Sequence, residues 1–191
     1  MKALTWRTLF APRRPVASAL PNAPALVRPA LRWLGEGNRI ALRAFDWNAD
    51  ATTVCIWQRE TYALNFPDFN FTPEFESAFA HDLRRASLDE VNGLFMLDEN
   101  AGGGPCGFLW VVLCSNNWTG ERYGYINNLY VAPGKRGQHL SDEMLRHAED
   151  WFKARGVTKL RLTVTASNVA ACKLYERMGY STQRVEMEKE L

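Results

Sequence analysis

From Arg122 onward the sequence changes its periodicity twice within a few residues. RYGYINNLYV (122–131) reads as a strand, Pro133 and Gly134 turn the chain, and GKRGQHLSDEML (134–145) runs directly into a helical pattern. HLSDEMLRHAEDWFKAR (139–155) carries Leu140, Met144, Ala148, Trp151 and Phe152 on one stripe, with Gly156 to end it. A strand that feeds a helix so abruptly leaves several N–H groups unpaired at the helix start, with the positive end of the helix dipole behind them. Such a terminus binds an anion, and a pyrophosphate suits it. Lys135 and Arg136 add positive charge beside it, but Asp142 and Glu143 in the first turn can complement the dipole equally well. The segment alone leaves both readings open.

The elements on either side narrow the fold. Downstream, TKLRLTVT (158–165) alternates Leu160, Leu162 and Val164 inward against Lys159, Arg161 and Thr163 outward, as a strand does. NVAACKLYERM (168–178) reads as a short helix stopped by Gly179, and YSTQRVEMEKEL (180–191) as a final strand. Upstream, IALRAF (40–45) reads as a strand and residues 50–66 as a helix. A second helix, 73–86, follows with Pro73 in its first turn. VNGLFML and CGFLWVVLC read as paired strands joined by DENAGGGP. The order β-α-α-β-β-β-α-β-α-β is that of an α+β domain with a mixed sheet.

Composition excludes more than it selects. A chain of 191 residues is most simply one domain, and a net charge of +2 favours neither a nucleic-acid partner nor a membrane surface. No apolar run approaches the ~18–20 residues needed to span a bilayer, and the start lacks the compact apolar stretch of a secretory signal. The expected location is the cytoplasm. Cys55, Cys106, Cys114 and Cys172 show no metal-ligand rhythm and sit among apolar residues, as buried thiols in a reducing compartment do. The NFT and NWT sequons at Asn70 and Asn117 then have no glycosylating context. Residues 11–35 hold five of the nine prolines. They read as an extended tail or packing arm, although their Arg-rich, acid-poor character also resembles an organelle transit peptide. The boundaries expected are an extension over 1–37 and a domain over 38–191.

Several motifs fail on inspection. DWNAD (46–50) begins like a calcium loop, but Ala51 and Trp57 stand where glycine and glutamate are required. GGGPCG (102–107) lacks the Lys-Ser/Thr of a phosphate loop and reads as a hairpin turn. His81, His139 and His147 show no metal-ligand spacing, and no GxSxG is present. No metal is expected.

In NVAACKLYERMGY, Ala171, Leu174, Tyr175 and Met178 share one helix face, where Tyr175 could simply be a core aromatic. Taken together, strand–VxPxxRGxxxS–helix–strand–NxxAxxLYxxxGY resembles the GNAT superfamily of N-acetyltransferases. The likeness is strong over 126–191 and consistent in element order back to about residue 38. It implies an α+β, three-layer fold with a mixed, mostly antiparallel sheet, a splayed central strand pair and helices on both faces. It also implies acetyl-CoA as cosubstrate and a small-molecule or peptide/protein amine as acceptor, in a monomer or homodimer.

The resemblance assigns roles to particular residues. The free backbone of Leu129, Tyr130 and Val131 would hold the pantetheine arm. The loop Arg136, Gly137, Gln138, His139, Leu140 and Ser141 would cradle the pyrophosphate, Asn168 would contact the cofactor, and Tyr175 would stand beside the thioester sulfur. A phenol titrates near ~10 and a thiol near ~8.5, so tyrosine can donate to the leaving thiolate while remaining un-ionised. Two family glycines are replaced, by His139 and Ser141, where backbone approaches phosphate closely. The general base is not evident. A water held by Asn127 or Asn128 is one reading, and Asp68 is another. NFPDFNF (65–71) could floor an acceptor pocket or anchor a loop to the core. The activity implied is acetyl transfer to a primary amine by direct attack in a ternary complex; the alternative is a non-catalytic acyl-CoA-binding or sensing domain of the same fold.

Overall fold

The computed structural model describes residues 32–34, 40–99, 103–187 and 189. Six strands form one sheet in chain order: β1 (Arg32–Leu34), β2 (Ile40–Ala44), β3 (Asn92–Glu99), β4 (Gly104–Ser115), β5 (Arg122–Val131) and β6 (Leu160–Arg161). Every neighbouring pair is antiparallel except β5 with β6, which is parallel. Among the described residues four α-helices complete the fold: α1 (Trp47–Asn65), α2 (Pro73–Ser87), α3 (Leu140–Lys153) and α4 (Val169–Arg177).

The helices begin where local chemistry lets them. DWNAD is an N-cap: the Asp46 side chain accepts from the Ala49 amide at 3.0 Å. Thr72 caps α2 in the same way, with Pro73 at its first turn. Asn168 caps α4 by accepting from the Ala171 amide at 3.2 Å. Gly156 and Gly179, both at positive φ, close α3 and α4.

The sheet separates two cores. On one face Leu140, Met144, Leu145, Ala148 and Phe152 of α3 bury against Phe95, Leu109, Val111, Ile126 and Val131, with Leu174 and Met178 of α4 at the margin. On the other face Val54, Trp57 and Tyr62 of α1 and Phe79 and Leu83 of α2 cover Phe108, Trp110, Tyr125 and Tyr130. This is the three-layer α+β arrangement with helices on both faces. Arg43 ties β2 to α1 through both oxygens of buried Asp50, at 2.7 and 2.8 Å, and to β3 through Asp98.

Three expectations are corrected. β1 lies inside the segment expected as an extension, so the sheet takes in Arg32–Leu34. Only Leu160–Arg161 of the strand expected over 158–165 pairs, because the chain diverges from β5 beyond that point. The final strand expected from residue 180 does not form over the described residues 180–187. Its apolar members Val185 and Met187 are 77% and 91% exposed, so no burial rewards an extended pairing. Residues 100–102, within the expected hairpin turn, and 188, 190 and 191 lie outside the described residues.

Candidate functional site

Strand β5 builds the site by changing parity. Trp110 of β4 faces Asn128 while Val111 faces Ile126, which leaves Asn127 as an extra residue in a β-bulge. Before the bulge Tyr123 and Tyr125 face α1 and α2. After it Leu129 and Val131 join the α3 side, while Tyr130 joins the α1 side. Were Asn127 paired as an ordinary strand residue, Asn128 and Tyr130 would point into the α3 core.

The other edge of β5 opens. Gly124 and Tyr125 pair with Leu160 and Arg161, and a Cβ at Gly124 would lie 2.6 Å from both Leu160 Cδ2 and Phe152 Cε1, so the contact there is tight. The Tyr125 hydroxyl still reaches Thr163 Oγ1 at 3.0 Å. Past that bridge the strands separate around a cavity of about 120 Å³. Asn127, Asn128, Leu129, Asn168 and Tyr175 line it, together with Gln58, Tyr62 and Asn65 of α1 and Thr165. The Asn168 amide donates to Asn65 Oδ1 at 3.1 Å, which joins the start of α4 to the end of α1 over the cavity.

Tyr175 is half-buried at this cavity, and burial pushes its phenol up to about 12, helped by the neighbouring Tyr125 and Cys172. It is a neutral donor at physiological pH. Its hydroxyl has no hydrogen bond among the described residues. The Asn128 side chain donates to Gln58, which is only 8% exposed. Tyr130 is placed differently: it stacks on Trp57 with centroids 4.8 Å apart, donates its hydroxyl to Glu60, and is pushed up to about 12 by burial and by that carboxylate. Only its backbone faces the open edge.

The turn after β5 forms the second part. Arg136 Nε donates to the Val131 carbonyl at 2.9 Å, and its guanidinium lies 5.9 Å from the Tyr130 ring centroid. Lys135 is paired with Glu99. Gly137 and His139 both take positive φ, 77° and 57°. The left-handed backbone at 139 is glycine territory, and histidine is among the residues that tolerate it. No hydrogen bond within the described residues uses the main-chain N–H of Gly137, Gln138, His139, Leu140 or Ser141. The Leu140 side chain is a core anchor, 3% exposed, so only its backbone can serve a ligand.

Asp142 does not face that amide cluster freely. His139 Nδ1 approaches one carboxylate oxygen at 3.1 Å, and Arg177 of α4 donates to the other at 2.7 Å. Burial pushes the carboxyl up, but the bonds from Arg177 and His139 outweigh it, and Asp142 titrates below the usual aspartate range. The acid is thereby neutralised and turned into a link between α3 and α4.

Two sequence readings resolve here. Asp68 is exposed and does not line the cavity. The phenylalanines of NFPDFNF form an edge-packed cluster, with Phe69 5.0 Å from Tyr62 and 5.1 Å from Phe71, so they anchor the loop; only Phe66 also reaches the cavity. Cys106 and Cys114 are buried thiols pushed up to about 11 and 12 by desolvation, whereas Cys55 and Cys172 are half-buried rather than buried. Sequence reasoning missed Gln58, Thr61 and Asn65. Their signal was a polar stripe at helical spacing within an otherwise buried face.

The model for the Acetyltransferase (GNAT) family matches residues 56–180. The chain belongs to the GNAT acetyltransferase family. It is 28% identical to mycothiol acetyltransferase of Thermobispora bispora over 187 residues, 95% of this chain and 56% of that protein. A shorter stretch of 56 residues, 29% of this chain and 30% of the relative, is 41% identical to streptothricin acetyltransferase of Streptomyces lavendulae. The matches span less than two thirds of the length of these curated relatives. Among solved structures, a Clostridium acetobutylicum protein described as a "predicted acetyltransferase with acetyl-CoA" superposes with a TM-score of 0.66 at 15% identity, covering 79% of this chain and 96% of that one. A GCN5-related N-acetyltransferase from Ralstonia eutropha gives 0.63 at 23% identity, covering 80% and 98%. This GNAT chain shares their fold. No helix among its described residues is long and apolar enough to cross a membrane.

Proposed function

We propose that this GNAT protein transfers the acetyl group of acetyl-CoA to a primary amine by direct attack in a ternary complex. The reading is carried by two features that follow one another along the chain: the cavity between the diverging β5 and β6 with Tyr175 in its wall, and, beyond the end of β5, the unpaired amides of 137–141 at the start of α3. The amides and Arg136 suit a pyrophosphate, the free edge of Leu129, Tyr130 and Val131 suits an amide-bearing arm, and Asn168 and Tyr175 flank the acyl end.

In this reaction the amine nitrogen attacks the thioester carbonyl carbon, and the C–S bond then breaks. The carbonyl oxygen gains charge, which N–H groups on the open edge of β5 stabilise. A phenol at about 12 facing a thiol of about 8.5 gives up its proton uphill, so Tyr175 serves as a hydrogen-bond donor to the departing sulfur. The proton lost by the amine passes to a water held at Asn127 or Asn128. Cys106 and Cys114 take no part, since raised thiols are poor nucleophiles.

One observation favours the second reading, an acyl-CoA-binding domain without turnover: no carboxylate lines the cavity among the described residues. A thermal-shift titration with acetyl-CoA, followed by thiol release with a panel of amines, separates the two. Acetyl transfer requires stabilisation, about 2.7 kcal/mol at one hundred times Kd, together with amine-dependent thiol release. Stabilisation without release supports binding alone. Tyr175→Phe should lower kcat about 100-fold while acetyl-CoA still stabilises the protein; normal turnover in that variant removes Tyr175 from the reaction.

A further inference from the structure

The acyl end of the cavity is polar without being charged. Gln58, Thr61, Asn65, Asn128, Thr163 and Thr165 supply amides and hydroxyls, while Tyr62, Phe66 and Phe79 supply an apolar wall. Gln58 is fixed there: it is 8% exposed and accepts from Asn128. Glu60, two positions further along α1, is exposed and takes the Tyr130 hydroxyl. An ammonium entering this space would shed water without meeting a counter-ion, which is costly. A neutral amine would find hydrogen-bond partners, and only a neutral amine can attack.

This separates amines by basicity. An ε-amino group titrates near ~10.4 and is neutral in about 1 molecule in 2,500 at pH 7; an α-amino group near ~8 is neutral in about 1 in 10. The neutral fractions therefore differ about 250-fold before any contact with the protein. A carboxylate in the wall could offset that difference by drawing in the ammonium and accepting its proton. Here an amide occupies the position.

We infer that the acceptor is a weakly basic amine of the α-amino kind bearing an apolar substituent, and that Gln58 enforces this by standing neutral where a carboxylate would hold an ammonium. The inference rests on the acetyl-transfer reading above and names the substrate class of that same site. The apolar substituent packs against Tyr62, Phe66 and Phe79, and the amine faces Gln58 and Asn128. The α-amino group can belong to a free amino-acid amide or to a peptide N-terminus; both present the same chemistry to the cavity.

The test measures thiol release from acetyl-CoA at pH 7 with leucinamide, the tripeptide Leu-Gly-Gly and Nα-acetyl-lysinamide. The expected result is a kcat/KM at least about 100-fold higher for leucinamide, the tripeptide or both than for the ε-amine, close to the ratio of neutral fractions. Leucinamide without the tripeptide identifies a small-molecule acceptor, and the reverse identifies a peptide N-terminus. Gln58→Glu keeps an oxygen for the Asn128 amide and should narrow the gap at least tenfold by raising activity on the ε-amine. Asn65→Asp, which keeps the oxygen bonded to Asn168, offers the same gain should the first variant not fold. Equal or faster reaction of the ε-amine in the native chain overturns the inference, as does no reaction with any of the three amines. Acetyl-CoA stabilisation and the wider amine panel, measured in parallel, tell the failures apart. If stabilisation persists and another amine releases thiol, only the acceptor class falls; if it persists and no amine does, acetyl transfer falls and binding alone remains. If it is absent, the acetyl-CoA reading falls as well.

Discussion

Strand β5 meets β4 from Arg122 to Val131, interrupted only by the bulge at Asn127, but meets β6 at Gly124 and Tyr125 alone. The two edges belong to the same residues, so propensity does not explain the difference. Towards β4, each side chain has a buried neighbour on one face or the other, and pairing is rewarded along the whole length. Towards β6, the tight contact of Gly124 with Leu160 and Phe152 pins the strands at one point, and the chain then leaves for the cavity wall. A parallel pair that stops early is what leaves backbone groups for a ligand.

That contrast can be broken most severely at its pinned point. Gly124→Val would place carbon within the space of Leu160 and Phe152, and overpacking there should cost about 3 kcal/mol in urea unfolding. A smaller effect is expected one step along. Thr163→Val removes the partner of the Tyr125 hydroxyl, whose phenol burial already pushes up, and should cost about 2 kcal/mol by stranding a buried donor. An unchanged midpoint would mean that the bridge does not hold the mouth of the wedge.

The mildest effect concerns α4, which carries Tyr175. Arg177→Ala frees α4 from Asp142 and should cost about 1 kcal/mol at pH 7, since Arg177 is itself half-exposed. The pH dependence has a definite sign. The folded carboxyl of Asp142 titrates below its ordinary value near 3.8, so its contribution is complete above that pH and is lost as pH falls through the lowered folded value. The native chain and Arg177→Ala should therefore converge in stability on acidification below about pH 3.8. A constant difference across that range would assign the loss to packing of the arginine stem.

Much of this was legible beforehand, for identifiable reasons. Helix starts at Thr72 and Asn168 follow from one side chain meeting one nearby amide, which is local information, whereas the helix expected from residue 50 begins three residues earlier, at Trp47, behind the Asp46 cap. The stripe of α3 is equally local: Leu140, Met144, Ala148 and Phe152 are buried as the spacing selects, although Trp151 is only half-buried and Leu145, outside the stripe, is buried too. Asn168 and Tyr175 stand seven positions apart on a short helix, and both reach the cavity because its turns bring them to one side. What could not be read was mostly decided by distant partners. The bulge at Asn127 exists only relative to β4, and the shortening of β6 depends on how far β5 is willing to accompany it. Gln58 looked like an ordinary helix residue until Asn128, 70 positions away, supplied its reason.

The extra residue in β5 acts as a gearshift in the chain. Because Ile126 and Asn128 already face the adjacent β4 residues Val111 and Trp110, excising Asn127 would restore strict alternation and leave Leu129, Tyr130 and Val131 on the sides they now occupy. Pairing Asn127 as an ordinary strand residue is the change that would turn over everything after it, sending the Tyr130 ring into the aliphatic layer under α3 and Leu129 and Val131 towards Trp57. The count of residues, rather than their identity, keeps the cavity on its side of the sheet.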